Sequence, residues 1–337
     1  MKAIVCEQIG RLAVHEVGEP VASPGTAVLD VKRIGICGTD LHAYRGNQPY
    51  FTYPRILGHE LSGIVRSVGA GVEGIAAGDR VAVVPYLHCG ACIACRRGKT
   101  NCCTNMQVLG VHVDGGMRER IAVPGAQLIR TNELSLDQSA MLEPLAIGAH
   151  AVRRSGLTAA DTVLVIGAGP IGLGVMAMAK RAGATVIAMD VNDERLELCR
   201  RVARADHAAN ALREPERTIL EITNGDNPTV VFDATGNARS MAASFRYPAH
   251  GGTLVYVGLV KSDIAFDDPE FHKRELTLMG SRNATKEDFR SVMEALAAGA
   301  IDMSSYITHR AAFDDVTSVF ESWLQPESKV MKAVVEF

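Results

Sequence analysis

Residues 163–180 read VLVIGAGPIGLGVMAMAK, and the reading of this run decides the fold. An apolar strand-like segment runs into Gly167, Gly169 and Gly172, spaced G-x-G-x-x-G, and a helix pattern follows. Glycines at this spacing allow a tight turn that brings backbone N–H groups against a pyrophosphate at a helix N-terminus, where no side chain fits. The triplet alone is weak. Its weight comes from VIAMD, which ends on Asp190, 18 residues past Gly172, where a carboxylate accepts both hydroxyls of an adenosine ribose. The same charge repels a 2′-phosphate and favours NAD over NADP. The plain alternative is a glycine-rich turn that binds nothing, with Asp190 as an N-cap.

Outward from this run the pattern repeats. TVIAMD precedes RLELCRRVA, TVVFDATG precedes RSMAASFRY, and GGTLVYVG and ELTLMGS follow. Short apolar strands alternating with helical stretches predict a parallel sheet with crossover helices. Upstream, residues 1 to about 145 are rich in Gly, Pro and Val and hold alternating segments such as AVLDVKRIG and GDRVAVVP, which predict an all-β body carrying loops. After Ser281 come an amphipathic helix, KEDFRSVMEALAAG, and a strand-like run, KVMKAVVEF. This order fits a domain begun at the N-terminus and completed at the C-terminus.

A chain of 337 residues buries a sizeable core, most naturally as two domains. Its net charge of −3 comes from 35 basic and 38 acidic residues, well mixed, so there is no electrostatic footprint for nucleic acid or an anionic membrane. A small-molecule partner is expected. Val163–Ala179 is uncharged for 17 residues but contains four glycines and a proline, as suits a buried strand entering a helix. MKAIVCEQIG has no secretory h-region, so the expected location is cytoplasmic, where cysteines hold metal more often than they pair.

HCGACIACRRGKTNCC, residues 88–103, packs five of the eight cysteines into sixteen positions. Cys89, Cys92, Cys95 and Cys103 have C-x2-C-x2-C-x7-C spacing, which lets one loop wrap a tetrahedral ion with four thiolates. Such a site is closed and holds a lobe together. Cys102 is a fifth cysteine the site does not require, and a redox C-x-x-C is the competing reading. Elsewhere GICGTDLH (35–42) and GHELSGIV (58–65) supply Cys37, Asp40, His42, His59 and Glu60. A thiolate, an imidazole and a carboxylate around zinc leave one position open, the mark of a catalytic site. Singly, each is uninformative: a lone cysteine is usually a small buried apolar residue.

Taken together, GICGTDLH, GHE, the cysteine run, EPLAIGAHA and GAGPIG make the whole chain resemble the zinc-containing medium-chain alcohol and polyol dehydrogenases. Glu143, where the liver-alcohol type has cysteine, resembles the sorbitol and threonine dehydrogenase branch. GNQPYFTYPRILGHE (46–60), LGVHVDGGM (109–117) and DPEFHKRELTLMGSRNAT (268–285) resemble the L-galactonate and L-gulonate 5-dehydrogenases of bacterial sugar-acid catabolism.

The resemblance implies an α/β chain with a GroES-like β-barrel catalytic domain at 1–147 and 282–337, a structural zinc lobe at about 86–106, and a Rossmann NAD-binding domain, doubly wound, at 148–281. It implies two zinc ions per chain, NAD, a polyhydroxy substrate and a homo-oligomer, dimer or tetramer. Cys37, His59 and Glu60 would hold the catalytic zinc, with Glu143 an alternate ligand or the partner of a zinc-bound water. Thr39 and His42 would relay the proton. Pro170, Ile171, Asp190 and Arg195 would line the adenosine and pyrophosphate, and Val257, Gly258 and Leu259 the nicotinamide. Ser281, Arg282 and Asn283 would close the last strand, with Arg282 taking both oxygens of an aldonate carboxylate. Tyr44 and His112 are candidate hydroxyl contacts, with packing as the alternative. The implied reaction passes a hydride from the C5 hydroxyl of L-galactonate or L-gulonate to NAD⁺. The alternatives are a polyol or L-threonine dehydrogenase and, outside catalysis, a silent nucleotide-binding relative. Such relatives commonly lose ligands that this chain keeps.

Overall fold

The strand Thr162–Ile166 is buried on both faces, as a parallel strand covered by helices must be. A computed structural model describes residues 1–48, 51–303 and 305–337. Pro49 and Tyr50, within the GNQPYFTYPRILGHE resemblance, lie outside the described residues. The chain divides into two compact units, Met1–Glu143 with Ile307–Phe337, and Pro144–Tyr306.

In the second unit six parallel strands lie in the order His207–Asn210, Thr185–Asp190, Thr162–Ile166, Val230–Asp233, Thr253–Tyr256 and Thr277–Gly280. Numbered along the chain this is 3-2-1-4-5-6, the doubly wound order, and the G-x-G-x-x-G turn sits where the order reverses. Each strand read from the sequence is in the sheet. His207–Asn210 and the helix Pro215–Ile222 were not read; HAAN offers only one well-buried apolar side chain, Ala209, at the sheet's edge.

In the first unit the long strand Thr26–Ile36 is the hub, pairing antiparallel with Glu60–Val68, Arg120–Pro124 and Ala333–Glu336. The last of these returns the chain to its beginning, with Ala333 opposite Ile36. Phe313, Phe320 and Trp323 join Ile4, Leu29, Ile34 and Leu61 in one core, so residues from both ends of the chain share it. A short ribbon, Tyr86–Leu87 against Gln107–Val108, closes the base of the cysteine loop.

The second boundary falls at Tyr306, not at the expected 281/282. The reason is polar. Asp288, on the helix Lys286–Ala297, is 1 % exposed and accepts from His150 Nδ1 at 2.9 Å, Arg153 Nε at 2.7 Å, and the Thr285 N–H and hydroxyl at 2.8 Å each. His150 and Arg153 lie on the helix Leu142–Ser155, so this helix is tied to the second unit. The first boundary, Glu143/Pro144, lies four residues before the expected one. Among the described residues no helix is long and apolar enough to cross a membrane.

Candidate active site

Asp40 gathers two ligand-bearing segments. Cys37 is the N-cap of the helix Gly38–Tyr44, and the fully buried Asp40 carboxylate accepts from the Cys37 N–H at 2.9 Å and the Gly58 N–H at 3.2 Å. His59 Nδ1 stands 3.8 Å from Asp40 Oδ1. One ligand atom each of Cys37, His59 and Glu60 lie within 4.8 Å of one another, and His59 and Glu60 are buried. Glu60 pairs across the sheet with Gly35, where a Cβ would meet Glu60 Oε2 at 1.9 Å; only glycine leaves room for this carboxylate.

The charges converge. Burial lowers the basicity of His59, but Asp40, Cys37 and Glu143 outweigh it and raise its pKa well above the usual value. Burial pushes the Glu143 carboxyl up to about 7, Glu60 adds to the rise, and His59 opposes it. Glu143 Oε1 receives the Tyr86 hydroxyl, whereas Oε2 is buried without a hydrogen-bond partner among the described residues. A pocket of anions holding an orphaned carboxylate oxygen is stabilised by a cation. Thiolate, imidazole and carboxylate together suit zinc. Glu143 is not a member of the 4.8 Å group.

The cysteine loop is built differently. Cys103 Sγ lies 3.5 Å from Cys89 Sγ and 3.9 Å from Cys92 Sγ, and Cys92 Sγ lies 3.5 Å from Cys95 Sγ. A zinc tetrahedron with bonds of about 2.3 Å has sulfur–sulfur edges of about 3.8 Å, so the spacing fits. Backbone N–H groups point at the sulfurs, from Cys92 to Cys89, and from Cys89 and Asn105 to Cys103. Those of Cys95 and Thr104 hold the Cys92 thiol down at about 5. Cys102 is exposed and outside the group.

At the glycine turn each glycine has its own task. Gly167 takes φ +100°, Gly172 would press a Cβ to 1.8 Å from the Gly167 carbonyl oxygen, and Gly169, N-cap of Pro170–Arg181, faces open space. That opening is what a pyrophosphate needs at a helix N-terminus. Asp190 accepts from the Ala168 N–H at 2.7 Å and the Asn192 N–H at 3.0 Å, leaving lone pairs for ribose hydroxyls.

The remaining candidates are dispersed. Thr39 is half-buried and His42 exposed on the same short helix. Tyr44 packs its ring 5.3 Å from Phe320 within the β core, which favours its packing alternative. His112 accepts the Val108 N–H at Nδ1, 3.1 Å away. Pro170 and Ile171 are half-buried, Arg195 and Leu259 exposed, and the Val257 and Gly258 N–H groups both donate to the Asp233 carbonyl. After the strand Thr277–Gly280, Ser281 is half-buried, Arg282 exposed, and Asn283 adopts φ +52°.

Two residues near the Cys37 group escaped the sequence reading. Lys332 is 3 % exposed and donates to both Glu60 oxygens, at 2.6 and 2.8 Å, and to the Ile36 carbonyl at 3.2 Å. Its only sequence signal is a lysine flanked by buried Met331 and Ala333. Tyr86, beside Glu143, had none.

The match to known proteins follows the same division. Residues 23–133 match the alcohol dehydrogenase GroES-like domain, and 170–298 match the zinc-binding dehydrogenase domain. The chain is 40% identical to L-galactonate-5-dehydrogenase of Escherichia coli K12, covering 100% of this chain and 99% of that one. It is 31% identical to sorbitol dehydrogenase of Bacillus subtilis 168, over 99% and 97%. Among solved structures, a short chain alcohol dehydrogenase, RspB, from E. coli CFT073, complexed with NADH, superposes with a TM-score of 0.93 at 33% identity, over 100% and 99% of the two chains.

Proposed function

Because the chain belongs to the zinc-type medium-chain alcohol dehydrogenase family, we propose that it oxidises the C5 hydroxyl of a sugar acid, L-galactonate or L-gulonate, with NAD⁺ as acceptor. The observation that carries the substrate is the 40% identity to an L-galactonate-5-dehydrogenase along the full chain. Cys37, His59 and Glu60 would hold the catalytic zinc, and Cys89, Cys92, Cys95 and Cys103 the structural one. Zinc supplies Lewis acidity that makes a hydroxyl a readier proton donor, and NAD⁺ supplies the hydride acceptor.

The rest falls to the chain's own groups. Thr39 and His42, three apart on one helix face, give the hydroxyl proton a route outward, from the half-buried group to the exposed one. Asp190 takes the adenosine ribose and sets the preference for NAD. Gly169 leaves room for the pyrophosphate, flanked by Pro170, Ile171 and Arg195. Val257, Gly258, Leu259, Ser281 and Asn283 line the nicotinamide side. Arg282 holds the aldonate carboxylate with its two-pronged guanidinium, and His112 contacts a hydroxyl. The reading carries with it a cytoplasmic homo-oligomer, dimer or tetramer.

The test is NADH production from L-galactonate, L-gulonate, L-idonate, sorbitol and threonine measured side by side. Turnover with the aldonates is expected, and Arg282→Met should raise their KM on the order of tenfold or more. The second reading, a polyol dehydrogenase, is favoured by the 31% identity to sorbitol dehydrogenase. Activity confined to polyols would establish it and remove the carboxylate role from Arg282.

A further inference from the structure

The pocket around His59 holds two buried carboxylates whose partners differ. Glu60 gives both oxygens to Lys332 and still belongs to the 4.8 Å group with Cys37 and His59. Glu143 accepts from Tyr86 at one oxygen, has no partner for the other among the described residues, and lies outside that group. If Glu143 swung in as a fourth protein ligand, the site would have the closed coordination of a structural ion and no room for substrate.

We propose that Tyr86 is a positioning residue that holds Glu143 off the metal, so that the free Oε2 receives the hydroxyl occupying the open position. The inference rests on the zinc reading above. Tyr86 is well placed to act as a fixed strut. It is 4 % exposed, its residue pairs with Val108 across the ribbon, and its carbonyl accepts from Gln127 Nε2 at 3.3 Å. Pro85, beside it, accepts the Leu109 N–H at 3.1 Å. The ribbon joins the two ends of the cysteine loop, so the ion held by that loop braces the tyrosine that braces the glutamate. His112, which accepts the Val108 N–H, is anchored to the same ribbon. The cysteine site thereby acts on the reaction centre through two hydrogen-bonded steps without sharing a ligand with it.

The test replaces the catalytic zinc by cobalt(II) in the full-length protein and follows its visible absorption and the zinc affinity of that site. The wild type should show bands that move when substrate is added. Tyr86→Phe should release Glu143 onto the metal, giving bands that no longer move and zinc binding on the order of tenfold tighter. Adding Glu143→Gln to Tyr86→Phe should restore the response. Should Tyr86→Phe fold poorly, Glu143→Gln alone decides, because the proposal expects two metals per chain and unchanged zinc affinity. Loss of one zinc from Glu143→Gln would overturn it, as would a Tyr86→Phe protein with wild-type bands and affinity. Uptake of one metal by the wild type would remove the zinc reading beneath it, which metal content reports separately.

Discussion

The cysteine loop and the Cys37 group, the two proposed zinc sites, are built by opposite means. In the loop all four donors come from residues 89–103, and the loop's own backbone N–H groups hold the sulfurs. In the Cys37 group Cys37 is a helix N-cap while His59 and Glu60 stand at the start of one strand, and they are steadied by the buried charged partners Asp40 and Lys332. A closed site satisfies itself once the ion is present. An open one must stay intact with one coordination position unfilled, so its donors need partners that do not depend on the ion.

The largest expected effect separates the two sites by function. Cys37→Ser should lower kcat on the order of 10³-fold or more while thermal unfolding and NADH binding stay close to wild type. Cys92→Ser should show its main loss in unfolding temperature and soluble yield. Each should lose one zinc, and exchanged phenotypes would reverse the assignment of the two ions. Next comes Lys332→Met, which leaves Glu60 buried without its counter-charge. The metal-stripped protein should lose about 3–5 kcal/mol in urea unfolding. Saturating zinc should recover part of that loss, and an equal loss with and without zinc would show that Lys332 does not compete with the ion for Glu60.

The smallest effect comes from a buried cluster outside both proposed sites. Asp288 is pushed up by burial but pulled well below its usual 3.8 by His150, Arg153 and the Thr285 N–H. A carboxylate with a depressed folded pKa contributes stability above its unfolded value and loses it as pH falls toward the folded one. Asp288→Asn should therefore cost about 2 kcal/mol at neutral pH, discounted because Arg153 is 43% exposed. The gap between variant and wild type should narrow progressively as pH falls from 3.8 toward the much lower folded value, and a gap that did not narrow over that range would exclude the charge as its source.

What could be read beforehand follows the same contrast. The glycine turn, the alternating strands and the cysteine spacing are local, so their partners lie within one element or the next. The residues that matter to the open site but were missed are fixed by pairing across the sheet. Lys332 reaches Glu60 only because Ala333 registers with Ile36 and Gly35 with Glu60. Tyr86 reaches Glu143 across 57 residues, and Asp288 reaches Arg153 across 135, which is why the second domain boundary was misplaced. The strand His207–Asn210 was missed for a different reason: at a sheet edge with one buried side chain, it needs no apolar run.

Lys332 lies 272 residues after Glu60, and this separation orders events during synthesis. The cysteine loop is complete once Cys103 leaves the ribosome, so its ion can arrive while most of the chain is still unmade. Glu60 meets the Lys332 ammonium only once the strand Ala333–Glu336 has joined the sheet. On the zinc assignment proposed above, the shape-holding ion would thus be available to the nascent chain early, and the reacting ion would find its seat complete only once residues 333–336 have paired.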